Sequence, residues 1–427
     1  MKFSPIVLAL ALASTAAPLA AQTLKATLLF PADDPRLERS RAERAYLGHP
    51  TGPAGDGVQM ALEEGQFELD AVGAKVALES KPAATLDAAR AAALAAEKAG
   101  AAVLLADLPA DWLLAVTDAV KLPVLNLGEA ADRLRAQDCR ARLFHLIPSE
   151  RMRADALAQT LVSRKWTNLL LLVGPGAADQ QRAATVQASL KRYGLKVALS
   201  KPFKMSADPR ERDLANPLLL TAGVQYDAVW VVDSDGEFAR TLPYRTVLPR
   251  PVVGDGGLVA VAWHAQFERF GAPQVSRRFM KATKRPMTAH DWSAWMAGKA
   301  LVGAAVAVPK GPNAAWAQAI AKNPVDGSKG VGMTFRPWDG HEIKLSATAQ
   351  EFDFVTGQLL SRGNTGAESQ YRSKLDNNTV SARWRYNKPD ANLFDSEGTV
   401  YWTQTNLNQL KIANGTTTSP GHPITGF

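Results

Sequence analysis

Leu169-Leu170-Leu171-Leu172-Val173 is apolar without a break. A strand with one face in water alternates polar and apolar residues. An unbroken run suits a strand covered on both faces, as in a parallel sheet flanked by helices. Ala102–Ala106 and Ala228–Val232 are runs of the same kind. Parallel neighbours need long crossovers, and helical segments stand between the runs. In order, the spacing predicts strand Leu24–Phe30, helix Asp56–Leu69, strand Lys75–Glu79, helix Leu86–Ala99, strand Ala102–Ala106, helix Asp111–Val120 and strand Pro123–Asn126. The rhythm restarts after Pro148 with helix Ser149–Ser163, strand Asn168–Val173, helix Ala178–Tyr193, strand Lys196–Lys201, a helix near Arg210–Leu220 and strand Ala228–Val232. Two such series in a chain of 427 residues predict an α/β protein of two doubly wound lobes.

The ends of the chain differ from its middle. Met1–Ala21 has one early Lys, an apolar run Ile6–Ala13 and then small residues, the layout of a secretory leader cleaved before Gln22. That run is shorter than the roughly 18 residues a membrane span needs. The expected product is therefore an exported, soluble periplasmic protein. From about Gly363 alanine thins out and asparagine crowds in, from Asn364 to Asn414. Residues 363–427 are expected to form an irregular Asn/Thr-rich extension of short strands and loops. Asp353–Gly357 at its entrance reads as a strand and turn.

Several chemistries lack their residues. One cysteine, Cys139, excludes an internal disulfide and a thiolate zinc site. Six histidines stand alone without ligand spacing, so no metal site is expected. Gly174-Pro175-Gly176 follows a strand but lacks the third glycine of a dinucleotide loop, and Asp179 would repel a pyrophosphate. No nucleophile elbow, His-Glu-x-x-His or phosphate loop is present, so no catalytic residues are assigned and no enzyme is expected. The net charge of +8 favours anions, but Lys and Arg are scattered, so no nucleic-acid partner is expected.

The order of segments resembles the type I periplasmic binding proteins, the group containing leucine/isoleucine/valine binders. The blocks that carry this are Phe144–Glu150, Val229–Gly236, Asp255-Gly256-Gly257, Phe279–Pro286 and His290–Ala300. Arg44–Pro50, Asp208–Pro217, Leu242–Pro251, Gly327–Gly330 and Phe335–Gly340 are similar to a narrower group, the substrate-binding proteins of pyrroloquinoline-quinone-dependent alcohol dehydrogenase systems. The resemblance implies two lobes joined by three crossings, near residues 147, 260 and 334, with ligand held between them. Lobe 1 would comprise residues 22–147 and 261–334, and lobe 2 residues 148–260 and 335–362.

Candidate ligand residues follow from position at strand ends. Asp111 and Trp112 open the helix after Ala102–Ala106. Asp111 could equally cap that helix, and Trp112 could equally be core. The resemblance leads one to expect hydroxyl residues here, and their absence argues against an α-amino-acid ligand. Gly128 follows the next strand. Arg151 and Arg153, just past the first crossing, could each clamp a carboxylate or be surface charge. Asp233, Ser234 and Asp235 end a central strand, where one Asp could instead cap the next helix. Tyr244, Arg245, Asp255 and Trp263 complete the set. The resemblance implies a monomer that captures a small-molecule ligand and delivers it to an ABC permease. It carries no cofactor of its own; pyrroloquinoline quinone or another small anion is its candidate ligand. The alternatives are a branched-chain amino acid or amide binder, and a sensor or cofactor-delivery protein without transport.

Overall fold

The computed structural model describes residues 23–38, 49–267, 271–309, 313–322, 331–335, 341–358, 369–386, 396–412 and 423–425. The expected leader, residues 44–48, Gly327–Gly330 and 336–340 lie outside them. By their contacts the residues divide into two units, one within 1–264 and 279–326, the other within 265–278 and 327–427.

The first unit holds two parallel sheets. The first is built from β1 (Thr23–Pro31), β2 (Lys75–Ala83), β3 (Val103–Ala106), β4 (Val124–Asn126) and β5 (Leu143–His145), in the order β2-β1-β3-β4-β5. The second contains β6 (Asn168–Val173), β7 (Lys196–Pro202), β8 (Ala228–Val232) and β9 (Val252–Gly254), ordered β7-β6-β8-β9. All pairs in both are parallel. The helices in chain order are α1 (Gly55–Glu64), α2 (Gln66–Val72), α3 (Leu86–Lys98), α4 (Ala110–Ala119), α5 (Glu150–Ser163), α6 (Ala177–Arg192), α7 (Pro217–Thr221), α8 (Glu237–Thr241), α9 (Ala272–Thr283), α10 (Ala289–Ala307) and α11 (Asn313–Lys322).

Each sheet is the middle layer of its lobe. Leu24, Leu28, Val103 and Leu105 pack on one side of the first sheet with α1 and α10 residues; Leu29, Leu104 and Ala106 pack on the other with α3 and α4 residues. In the second sheet Leu169, Leu171 and Trp230 face α5 and α6, while Leu170, Leu172, Val229 and Val231 face α7 and α8. The unbroken apolar runs are thus explained by coverage on both faces. The expected doubly wound lobes are present. After β5 the chain crosses to the second lobe at residues 146–149. After β9 residues 255–264 leave the second sheet, and α10, later in the chain, is buried in the first lobe.

Two predicted helices break. Asp56–Leu69 divides at Gly65. The helix near Arg210–Leu220 becomes a 3-10 turn, Pro209–Ala215, and then α7, because Asn216 precedes a proline and takes an extended backbone.

The larger correction concerns residues beyond 330. Val331–Phe335 (β10) pairs antiparallel with His341–Gln358 (β11). Both strands belong to a sheet of their own, and 341–358 joins neither parallel sheet. Ile343, Leu345, Ala347 and Ala349 alternate with Lys344, Ser346 and Thr348, the pattern of an antiparallel strand rather than a doubly covered one. β11 pairs with Ser369–Tyr386 (β12), which pairs with Ser396–Ile412 (β13), and a short β14 (Pro423–Thr425) follows. The expected irregular extension is therefore a meander with strands of 17 and 18 residues, and Asp353–Gly357 lies inside one of them. Asn377 and Asn378 pair with Thr405 and Gln404. Pairing on both sides of β12 supplies partners for its backbone and overrides the low strand propensity of asparagine.

Close packing of α1 on α10 fixes the first lobe. A Cβ on Gly298 would lie 2.5 Å from Ala61 Cβ and 2.8 Å from the Val58 carbonyl oxygen, whereas nothing lies within 4 Å of one on Gly303. Gly298→Ala is expected to lower stability by about 1–3 kcal/mol through overpacking. Gly303→Ala, on the exposed side of the same helix, should raise it by about 0.5–1 kcal/mol. Urea unfolding of both variants checks the pair.

Candidate functional site

The carboxyl ends of both parallel sheets border one cleft of about 330 Å³. The first lobe contributes Arg36, Leu127, Gly128, Glu129 and His290. The second contributes Arg153, Leu157, Arg182, Val186, Trp230, Ser234 and Asp255, and the returning segment supplies Val259–Ala262. Helices α5 and α6 contribute both apolar residues (Ala154, Leu157, Val186) and charged ones (Glu150, Arg153, Arg182) to the lining.

On the first wall the buried group is Asp107, the residue that follows β3. Its Oδ2 lies 2.9 Å from His290 Nε2 and 3.0 Å from Arg36 Nη2, and Arg36 also pairs with Asp34 at 2.6 Å. Burial works to raise the Asp107 carboxyl, but the His290 and Arg36 charges overcome it and hold it below the usual carboxylate range. Burial likewise works to lower the His290 pKa, and the Asp107 charge reverses this, so the imidazole is held protonated above its ordinary range. Gly128 is required here: a Cβ on it would sit 2.1 Å from Asp107 Oδ1.

On the second wall Arg182, from α6, reaches Asp255 at 2.6 Å and Glu150 at 3.3 Å. Burial opposes its charge, and the two carboxylates more than compensate. Glu150 also faces Arg153 at 3.6 Å, so one carboxylate serves two guanidinium groups. Arg153 Nε is buried and has no hydrogen-bond partner. Ser234 donates its N–H to Asp179 Oδ1 at 2.7 Å and its hydroxyl to the same oxygen. Asp179 also accepts the Gly176 N–H at 3.2 Å, and its Oδ2 would lie 2.4 Å from a Cβ on Gly174. A carboxylate thus occupies the space a phosphate would need in the Gly174–Gly176 loop.

The first crossing is stitched by bonds between the lobes. Glu150 donates its N–H to the Ala130 carbonyl oxygen at 3.0 Å, Arg151 donates its N–H to Asp132 Oδ1 at 3.0 Å, and Arg135 donates to the Ile147 carbonyl oxygen. Beside this seam Asn126 Nδ2 donates to His145 Nδ1 at 3.0 Å, while Asn126 Oδ1 accepts the Gly128 and Glu129 N–H groups. Burial, and then the Arg135 charge, push the His145 pKa down to about 4.

The structure brings Gly128, Ser234 and Asp255 into the cleft wall and sends other expected residues elsewhere. Asp111 is exposed and paired with Arg133. It does not cap α4, whose N-cap position is Pro109, because Asp111 is already the second residue of the helix and its carboxylate is taken by Arg133. Trp112 packs against the core behind the first sheet. Arg151 is on the surface 3.7 Å from Asp155, because the cleft-facing position in that turn of α5 is Arg153. Asp233 is buried beneath the cleft, where its Oδ2 accepts the Ala239 N–H of α8 at 2.9 Å. Burial, helped by Asp255 and Asp179, raises its pKa although backbone N–H groups oppose this. Asp235 is exposed, Tyr244 is 89% exposed, and Arg245 is on the surface beside it. Trp263 is half-buried next to the lining segment but not part of it. Reasoning from strand ends missed Arg36, Asp107, Arg182, Trp230 and His290. Asp107 carried the available signal, as a carboxylate directly after an unbroken apolar strand.

Among the described residues no group of three or more His, Cys, Asp or Glu could hold a metal ion. No helix among them is long and apolar enough to cross a membrane.

No protein-family model and no curated protein matches the sequence. Solved structures do match in shape. A leucine-, isoleucine-, valine-, threonine- and alanine-binding protein from Brucella ovis, in a closed conformation, superposes with a TM-score of 0.55 at 12% identity, covering 90% of this chain and 96% of that one. A solute-binding protein of an ABC transporter from R. palustris, in complex with benzoate, gives 0.52 at 14% identity over 89% and 98%. A branched-chain amino acid ABC transporter periplasmic ligand-binding protein from Burkholderia xenovorans LB400 gives 0.54 at 13% identity over 77% and 90%. At these identities the likeness is one of fold, the two-lobed α/β fold of type I periplasmic binding proteins.

Removing Asp107 leaves Arg36 with Asp34 alone and His290 with no hydrogen-bonded carboxylate. Asp107→Asn should therefore lower stability by about 3–5 kcal/mol in chemical denaturation. His145 gives a pH signature. Its folded pKa lies below its ordinary 6.5, so the unfolded chain takes up the proton first, and stability falls as pH drops from 6.5 towards 4. His145→Asn, which keeps an acceptor facing Asn126 without titrating, should flatten the melting temperature across that window.

Proposed function

We propose that this chain is a periplasmic solute-binding protein. It closes its lobes on a small molecule and presents it to an ABC permease, in a system linked to pyrroloquinoline-quinone-dependent alcohol oxidation. The observation that carries the reading is the cleft itself, bordered by the carboxyl ends of two parallel sheets, where open α/β sheets bind ligands. Two bodies joined by crossing segments can rotate about them, and a ligand touching both walls favours the closed arrangement. A permease can read that arrangement. The protein, in this reading, binds and releases its guest; Asp179, the carboxylate beside the cleft hydroxyl of Ser234, is engaged by the backbone N–H groups of Ser234 and Gly176 and anchors those loops.

Pyrroloquinoline quinone, or another small anion, is the ligand this reading favours. Arg153 shares its carboxylate with Arg182 and has an unpartnered Nε, which leaves donor capacity for an acid group on the ligand. The apolar end of the cleft, with Leu157 and Val186, supports a second reading, a branched-chain amino acid or amide. Calorimetric titration and thermal shift with pyrroloquinoline quinone, benzoate and L-leucine separate the two. An anion should bind at micromolar levels and raise the melting temperature, and Arg153→Gln should weaken it about tenfold. Absence of heat and of any shift with the quinone removes it as the ligand. L-Leucine alone binding would replace the anion reading with the amino-acid one.

A further inference from the structure

Three tryptophans are buried to 2% exposure, Trp230, Trp295 and Trp316. Trp295 donates its indole N–H to Glu64 Oε2 at 3.0 Å, and Trp316 donates to the Val308 carbonyl oxygen at 2.7 Å. Trp230 has no such partner among the described residues, and of the three it alone lines the cleft. The ring is packed in the core, whereas its nitrogen is not among the fully buried unpaired atoms of the described residues and opens on the cleft. A phenylalanine would fill the core part of this position without bringing a polar hydrogen to the cleft, so packing alone gives no reason for an indole here.

The surroundings show where an acceptor would sit. Trp230 is the middle residue of β8, and its ring edge runs beside Gly254 at the end of β9. A Cβ on Gly254 would lie 3.1 Å from Trp230 Nε1 and 3.0 Å from Cδ1. Gly254 has φ +107°, a backbone that side chains rarely adopt, and any side chain there would collide with the indole edge. Around it Leu157, Val186 and Val232 form an apolar end to the cleft, in which one polar hydrogen is the distinguishing feature.

We propose that Trp230 donates its indole N–H to an oxygen of the cleft ligand and so selects molecules whose apolar end carries a carbonyl or carboxylate oxygen. This rests on the reading of the cleft as a solute site. The donor fixes how deep the ligand enters, and the apolar walls reject a strongly hydrated group without a hydrophobic body.

The test uses full-length mature protein labelled with ¹⁵N at the indole nitrogens, titrated with benzoate, L-leucine and pyrroloquinoline quinone while heat is measured in parallel. Trp230→Phe assigns the Trp230 signal by its loss. Contacts from the indole proton to the Gly254 α-protons assign it independently, should that variant fold poorly. The signal of Trp230 should shift at saturation more than those of the other tryptophans, and Trp230→Phe should weaken binding about threefold to tenfold. Heat with an unmoved Trp230 signal, or unchanged affinity in a folded Trp230→Phe, overturns the role of Trp230 and leaves the solute site standing. No heat with any of the three probes overturns the solute reading, and this inference with it.

Discussion

A parallel strand covered on both faces has room for polar chemistry only at its ends, and that constraint organises the first unit. Within β3, β6 and β8 nearly every side chain is apolar and buried. Directly beyond their last residues the chain turns polar: Asp107 after β3, Asp233 and Ser234 after β8, Asp255 after β9. Because both sheets are wound in the same sense, these ends gather at one cleft. The site is thus a consequence of the core.

Buried charge at those ends is held by partners, and the partners divide by wall. Asp107 is satisfied by Arg36 and His290, which arrive from residues far apart in sequence. Arg182, on α6, is satisfied by Glu150 of α5 and by Asp255 just beyond β9. Isolated charges would be expelled from such positions; paired ones are stable there and also fix how the elements sit. This is why the wall resists simple classification as basic. Its guanidinium groups are largely committed within the protein, and the capacity left for a guest is confined to a few atoms.

The two lobes were legible because a covered parallel strand leaves an unambiguous trace, as in Asn168–Val173 and Ala228–Val232, whose observed bounds match the reading. The C-terminal antiparallel sheet was not legible. Asparagine content suggested loops, yet three long strands pair through Asn377 and Asn378, because ladder pairing is a non-local property that composition does not encode. The candidate site was half legible. Strand ends pointed to Gly128, Ser234 and Asp255, but whether a side chain turns inward depends on helix phase and on distant partners. Arg151 and Arg153 differ by two positions on one helix, and only the second faces the cleft. His290 entered the reading as one of six isolated histidines, since its partner Asp107 is 183 residues away.

The stitched first crossing has a mechanical consequence. Bonds from Glu150, Arg151 and Arg135 tie residues 130–135 of one lobe to residues 147–151 of the other, so under the proposed closing motion this margin would serve as the fulcrum. A lever pivoted at one edge moves least beside the pivot and most at its far lip. Any swing of a few degrees would leave the seam intact while the remote mouth travels in proportion to its radius, letting a guest pass without breaking the ties that define the axis.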